Sequence, residues 1–277
     1  MGILNVTPDS FSDGGQFLDR ERAVEQALRL LDEGADIVDI GGESTRPGAG
    51  VGVEGGRRPA VLVDEELQRV LPVIADVKKA RPAAILSIDT YKSMVAKAAV
   101  EAGAEIVNDV SGLQWDPAMA ETCAGLDCGL VLMHMRGLPE TWRNLEKLED
   151  PLTLVKHELG LAAAQAQNVG IAGERIVLDP GFGFGKNFEE NYPLLEGLDG
   201  LAELGFPILA GTSRKSFVGR ASGAEGSAKQ RLSGSLAAMV ISIMRGAHIV
   251  RVHDVRESVE AARVVDAIQG EPSSSQV

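Results

Sequence analysis

In Ile176-Val177-Leu178-Asp179-Pro180-Gly181-Phe182-Gly183-Phe184-Gly185-Lys186, three β-favouring apolar residues run into a carboxylate, and a proline and three alternating glycines then prevent the strand from continuing. A charged group therefore sits where a buried strand ends. Asp179 has two readings at this point: it ties down the glycine loop through the loop's own amides, or it faces a ligand held beneath that loop. Asp-Pro-Gly is ordinary turn chemistry, so the choice depends on whether other strands end the same way.

They do. Gly2 to Val6 is a short apolar run closed by Thr7-Pro8-Asp9-Ser10, and Arg22 to Leu31 follows at helical spacing, stopped by Gly34. Ile37 to Ile40 breaks at Gly41-Gly42-Glu43-Ser44-Thr45-Arg46-Pro47-Gly48; a glycine-rich stretch and a helix over Asp64 to Lys79 come next. Ile85 to Ile88 ends at Asp89 and precedes a helix from about Tyr91 to Ala102. Ile106-Val107 ends at Asn108-Asp109, with a helix near Pro117 to Ala124. Leu130 to Leu132 ends at Met133-His134, with a helix over Pro151 to Asn168. The 176–186 run is sixth. Pro207 to Ala210 ends at Gly211-Thr212-Ser213-Arg214-Lys215, followed by a helix from roughly Ser227 to Met244. His248 to Val252 ends around Arg251-Val252-His253-Asp254, and Val255 to Ile268 is the last helix.

Eight strands alternating with eight helices, their ends roughly 35 residues apart, predict an α/β fold closed as a single (β/α)8 TIM barrel, with the site built from the loops after the strands. An open doubly wound sheet is the alternative, but it concentrates a site at one switch point and leaves most strand ends idle. Here nearly every strand end carries a polar group. The domain is expected over residues 1–268, with residues 269–277, which include Ser273-Ser274-Ser275, as a disordered tail.

Composition narrows the function classes. The chain of 277 residues is 44% hydrophobic and 24% charged, which suits one large globular core. Its net charge of -13 argues against a nucleic-acid partner, because a phosphate backbone needs a basic face. No run of about 18 apolar residues is present, so no membrane span is expected. The start Met1-Gly2-Ile3-Leu4-Asn5 lacks the charged and apolar regions of a signal peptide, which makes the expected location cytoplasmic. Cys123 and Cys128 are the two cysteines, with neither a second pair nor a histidine pair to complete a zinc site, and read as idle thiols.

Gathered together, the strand ends are Asn5, Thr45, Asp89, Asn108, Asp179, Ser213, Lys215, Arg251 and His253. Singly, each has a plain reading as a cap, a turn residue or a solvated charge. In a barrel they converge on one mouth, and they divide by charge. Asp89, Asn108 and Asp179 offer acceptors and an amide suited to a neutral heterocycle edged with N–H and amino groups. Asn5, Arg251 and His253 come from the first and last units, neighbours in a closed barrel, and suit an anion. The implied ligand is a polar heterocycle carrying a phosphate. No serine or cysteine has an evident base partner, so no nucleophilic triad is expected. Gly181 to Lys186 is not a phosphate P-loop, because three residues rather than four separate the outer glycines and Asn187 follows the lysine.

Five segments carry a resemblance: residues 1–15 (MGILNVTPDSFSDGG), 39–48 (DIGGESTRPG), 106–112 (IVNDVSG), 178–186 (LDPGFGFGK) and 211–217 (GTSRKSF). In this order the chain resembles the dihydropteroate synthase family. The resemblance implies a (β/α)8 transferase of folate synthesis that joins 6-hydroxymethyl-7,8-dihydropterin diphosphate to 4-aminobenzoate with Mg2+, as a homodimer. It further implies that Asp89, Asn108 and Asp179 hold the pterin edge, with Lys215 on its other side and Met133 among the substrate contacts. Asn5 would ligate Mg2+, Arg251 and His253 would bind the diphosphate, and Ser213, Thr45, Pro47, Phe11 and Phe184 would line the aminobenzoate pocket. Asp179, Lys215, Arg251 and His253 are the expected catalytic groups. Two rival readings share the barrel: a pterin-binding corrinoid-dependent methyltransferase, which does not require Ser213-Arg214-Lys215 or the loop after Asn5, and a non-catalytic pterin-binding protein, which needs no diphosphate site.

Overall fold

The computed structural model describes residues 1–7, 15–43 and 61–270. Six parallel strands, β1 (Gly2–Asn5), β2 (Ile37–Gly41), β3 (Ile85–Asp89), β4 (Ile106–Asp109), β5 (Gly129–Met133) and β6 (Ile176–Asp179), pair in sequence order. Two short strands, β7 (Leu209–Ala210) and β8 (Ile249–Val250), pair with each other. The ring closes through parallel bridges on both sides, Leu178 with Ile208 and Gly2 with Val252. Main-chain hydrogen bonds from Leu178 N–H to Pro207 O and from Ile3 N–H to Val252 O, each 2.9 Å, seal the same two seams. The fold is a (β/α)8 barrel.

The strands are short and apolar because both faces are covered. Outward residues such as Leu4, Val38, Ile40, Leu86, Ile88, Leu130, Leu132 and Leu178 are buried against the helices. Burial of one such side chain is worth about 1.5–3 kcal/mol relative to exposure. Inward, alternate residues fill the barrel in layers. Met1, Val131 and Leu209, with Ile37, Ile106, Val177 and Ile249 against them, make an apolar plug. Above it the lining turns polar, beginning with the buried Asp39, Ser87 and Asn108.

The helices around the ring are α1 (Gly15–Asp32), α2 (Val63–Ala80), α3 (Ser93–Glu101), α4 (Met119–Ala124), α5 (Pro151–Asn168), α6 (Phe188–Glu196), α7 (Ser216–Ser222), α8 (Leu232–Met244) and α9 (Val255–Gln269). α5 has the predicted bounds, since Pro151 opens it and the Asp150 side chain accepts from Thr153 N–H at 3.1 Å. α1 begins seven residues before the predicted Arg22. The single helix expected over Ser227 to Met244 is instead a 3-10 turn, Ala228–Arg231, leading into α8, and the separate α7 precedes it. Gly223, in the left-handed region at φ 72°, ends α7. The last helix runs one residue past Ile268, and the expected disordered tail falls mostly on residues 271–277, outside the described ones.

Candidate active site

Strand register explains why distant residues meet. Asn5 lies beside Gly41, Gly41 beside Asp89, and Asp89 beside Asn108, one continuous row at the C-terminal ends of β1 to β4. On the next strands Met133 lies beside Asp179. Arg251, just past β8, reaches across this row. Its Nε donates to Asp39 Oδ2 at 2.6 Å and its Nη2 to Asp89 Oδ2 at 2.6 Å. Asn108 Nδ2 donates to the same Asp39 oxygen at 3.1 Å, which leaves Asn108 Oδ1 buried with no protein partner, an acceptor facing no donor of the chain.

These contacts set the charges. Burial pushes the Asp89 carboxyl up to about 7; Arg251 opposes the rise, and Asp39 and Glu66 add to it. Burial works against the Arg251 guanidinium, but Asp39 and Asp89 outweigh it and hold the group above its ordinary value. Arg251 is a fixed cation.

Asp179 takes the first of the two readings of its loop and stands where the second would need it. Its Oδ1 accepts the Gly181 N–H at 2.7 Å, and its carboxylate stays on the barrel's inner face, 5% exposed. Burial raises its pKa, opposed by the Gly181 amide, Lys215 and Arg251. The loop lies flush on the segment leaving β5. A Cβ on Gly181 would stand 2.0 Å from His134 O, and one on Gly185 2.6 Å from Arg136 O, with φ at +64° and +66°. Phe184 at the loop's tip meets Trp142 edge-on, centroids 5.3 Å apart, and carries the Lys215 ammonium 3.9 Å above its ring. Met133 packs in the same cluster. Burial lowers the Lys215 pKa to about 8 against the pull of Asp179.

Ser213 and Lys215 flank Arg214, which takes the left-handed region at φ 59°. A non-glycine residue persists there when its surroundings fix it. Arg214 N–H donates to Ser235 Oγ at 2.8 Å, its carbonyl accepts from Arg231 Nη1 at 3.0 Å, and its guanidinium forms a two-point pair with Asp254. Ser213 Oγ accepts the His253 N–H at 3.2 Å and lies 3.1 Å from His253 Nδ1. Burial, then Arg214 and Arg251, press the His253 pKa down to about 3. His253 is a neutral imidazole and not a second cation.

Of the residues expected at the site, Asn5, Asp89, Asn108, Met133, Asp179, Phe184, Ser213, Lys215, Arg251 and His253 lie together at one end of the barrel. Phe11, Thr45 and Pro47 lie outside the described residues. Asp39 was missed by sequence reasoning. It is fully buried, and one of its oxygens holds both Arg251 and Asn108. The available signal was a carboxylate inside the apolar run Ile37 to Ile40. A second buried ion group adjoins the mouth, where Lys92 pairs with Glu43 and Glu66.

A parallel barrel whose strand ends present carboxylates, an amide, a fixed guanidinium and a titratable lysine to a single mouth is an enzyme of small polar ligands. The family model described as "Pterin binding enzyme" matches residues 1–253. The dihydropteroate synthase of Escherichia coli strain K12 is 46% identical over 267 residues, covering 96% of this chain and 90% of that protein. That of Clostridium beijerinckii is 44% identical over 269 residues, covering 97% and 93%. Among solved structures, the Xanthomonas albilineans enzyme with 4-aminobenzoic acid superposes with a TM-score of 0.88 at 46% identity, covering 98% of this chain and 93% of that one. The same enzyme in complex with 7,8-dihydropteroate gives 0.84 at 43%, covering 98% and 94%. The chain belongs to the dihydropteroate synthase family of pterin binding enzymes.

Proposed function

We propose that the family's reaction, condensation of 6-hydroxymethyl-7,8-dihydropterin diphosphate with 4-aminobenzoate to 7,8-dihydropteroate and diphosphate, is carried out here by the charges of the barrel mouth. The observation that carries this reading is the shared Arg251: one fixed cation lies between Asp39 and Asp89, within the same mouth as Asp179 and Lys215. Asp89, Asn108 and Asp179 bind the pterin edge. The unpartnered Asn108 Oδ1 and the Asp179 carboxylate accept from its ring N–H and amino groups, and Lys215 donates from the other side. Phe184 and Ser213 wall the aminobenzoate.

Electron donation from the dihydropterin ring stabilises positive charge on the methylene carbon, so the carbon–oxygen bond breaks early if the departing diphosphate is neutralised. Arg251 supplies fixed positive charge to the leaving group, and neutral His253 contributes a hydrogen bond. Asp179 lies on the side of the developing cation and lowers its energy in a water-poor pocket. The arylamine nitrogen then attacks the methylene carbon and, as the C–N bond forms, gives up a proton to water or to the departed diphosphate.

Among the described residues no group of three or more His, Cys, Asp or Glu forms a metal cage. A single amide oxygen, Asn5, at the end of β1 fits a hard cation that takes most of its ligands from substrate phosphate and water. Asn5 would hold Mg2+, which when bound neutralises diphosphate charge.

The chain acts in the cytoplasm as a homodimer. Among the described residues, no helix is long and apolar enough to cross a membrane. The dimer reading is supported by the apolar groove of Tyr192, Leu195, Ile241 and Met244 between α6 and α8, with Met244 62% exposed.

The reaction is tested by incubating the protein with both substrates and Mg2+ and following 7,8-dihydropteroate by mass. The expected result is product that requires both. Tight pterin binding without product would leave the non-catalytic reading, and methyl transfer to a corrinoid protein would favour the methyltransferase.

A further inference from the structure

Lys186 ends the glycine loop, and its charge faces neither solvent nor the mouth. The residue is 7% exposed. Its Nζ donates to Gly181 O at 2.9 Å, to Phe184 O at 3.2 Å and to His134 O at 3.4 Å, so its three protons go to main-chain carbonyls. No proton is left for a phosphate. Two acceptors belong to the loop, and the third belongs to the segment leaving β5 on which the loop lies. The hydrogen bonds therefore cross the seam where Gly181 approaches His134 most closely. Burying an ammonium is costly unless hydrogen bonds satisfy it. Here they do; burial still draws the Lys186 pKa down to about 7, with Asp179 pulling it up, so the tie is charge-assisted below about that pH.

The loop residues Lys186 grips are the ones on which the site leans. The Gly181 N–H holds Asp179 Oδ1 at 2.7 Å, and the Phe184 ring underlies the Lys215 ammonium. Immediately after Lys186, Asn187 and Glu190 form a reciprocal cap that starts α6, so the loop's far end is anchored independently. What the cap does not fix is the loop's height above β5.

We propose that Lys186 is a positioning residue for the pterin site: its buried ammonium clamps the 181–185 loop to the exit of β5, and through the Gly181 amide it fixes the Asp179 carboxylate. This rests on the reading of Asp179 as a substrate contact, and the test separates the two. K186M, which keeps the side chain's length and loses its donors, is combined with D179N in a double-mutant cycle on kcat/KM for the dihydropterin diphosphate. K186M alone lowers kcat/KM about tenfold or more, the scale of lost charge-assisted hydrogen bonds. In the D179N background the same change costs less than about threefold, because the group it positions is already disabled. A K186M enzyme with wild-type kcat/KM overturns the proposal. So does an undiminished penalty in the D179N background, which marks a general structural role. D179N with normal kcat/KM overturns the underlying reading, and the proposal with it. Should K186M fail to fold, K186Q, whose shorter and neutral amide can satisfy at most two of the three carbonyls, is put through the same cycle under the same criteria.

Discussion

Lys215 and Asp39 show two different consequences of burying an ionisable side chain at the mouth. Burial draws the Lys215 pKa down to about 8, so the ammonium proposed to meet the pterin is present below that pH and lost above it. The pH profile of kcat/KM, which reports the free enzyme, is expected to fall above about pH 8; in Lys215→Arg that limb should vanish, at whatever reduced rate the variant runs. Asp39 predicts a different outcome. Asp39→Ala strands Arg251 and Asn108, and breaking such a buried pair costs about 3–5 kcal/mol, readable by urea denaturation. A loss below about 1 kcal/mol would mean that Asp89 alone suffices for Arg251. Asp39 escaped sequence reasoning because it sits two residues before its strand's end, where the pattern predicts barrel lining. A carboxylate there becomes functional only through an arginine 212 positions away.

Among the elements, the strand ends were legible because a carboxylate, amide or cation closing an apolar run has few places to go except a barrel mouth. The loops were less so. α7 is too short to show a period, and the left-handed Arg214 before it follows from partners on α8 and beyond Val252 that no local pattern reveals. The 181–185 loop is the element most exposed to a single change. Gly181→Ala puts a methyl 2.0 Å from a main-chain oxygen at a positive φ, so either the loop or the β5 exit must move. The expected outcome is loss of most activity together with a lower Tm, and a crystal structure of the variant should show Asp179 displaced. An unshifted Asp179 would mean that the loop does not set its position.

For the whole molecule, pH acts through buried imidazoles. His134, tied to Glu158 at 2.9 Å, has its pKa lowered to about 4, mainly by burial, and His253 is lowered to about 3. Both fall from an ordinary 6.5, so the folded chain binds fewer protons than the unfolded one. Their contribution to stability is full above about pH 6.5 and is lost as the pH drops towards 4 and then 3. Asp89, raised from 3.8 to about 7, acts in the opposite sense, favouring the fold at low pH and losing that effect as pH rises to about 7. His134→Asn is expected to flatten the acid side of the stability curve, measured by denaturant midpoints between pH 4 and 7; an unchanged slope would assign that dependence elsewhere. The proposed convergence of Asp179 and Arg251 on one reacting carbon is tested most directly by 4-aminobenzoate-dependent diphosphate release. Asp179→Asn and Arg251→Ala should each lower kcat/KM roughly a hundredfold or more, the scale of losing one preorganised electrostatic partner. Near-normal turnover by either variant would contradict the placement of the reaction at this mouth.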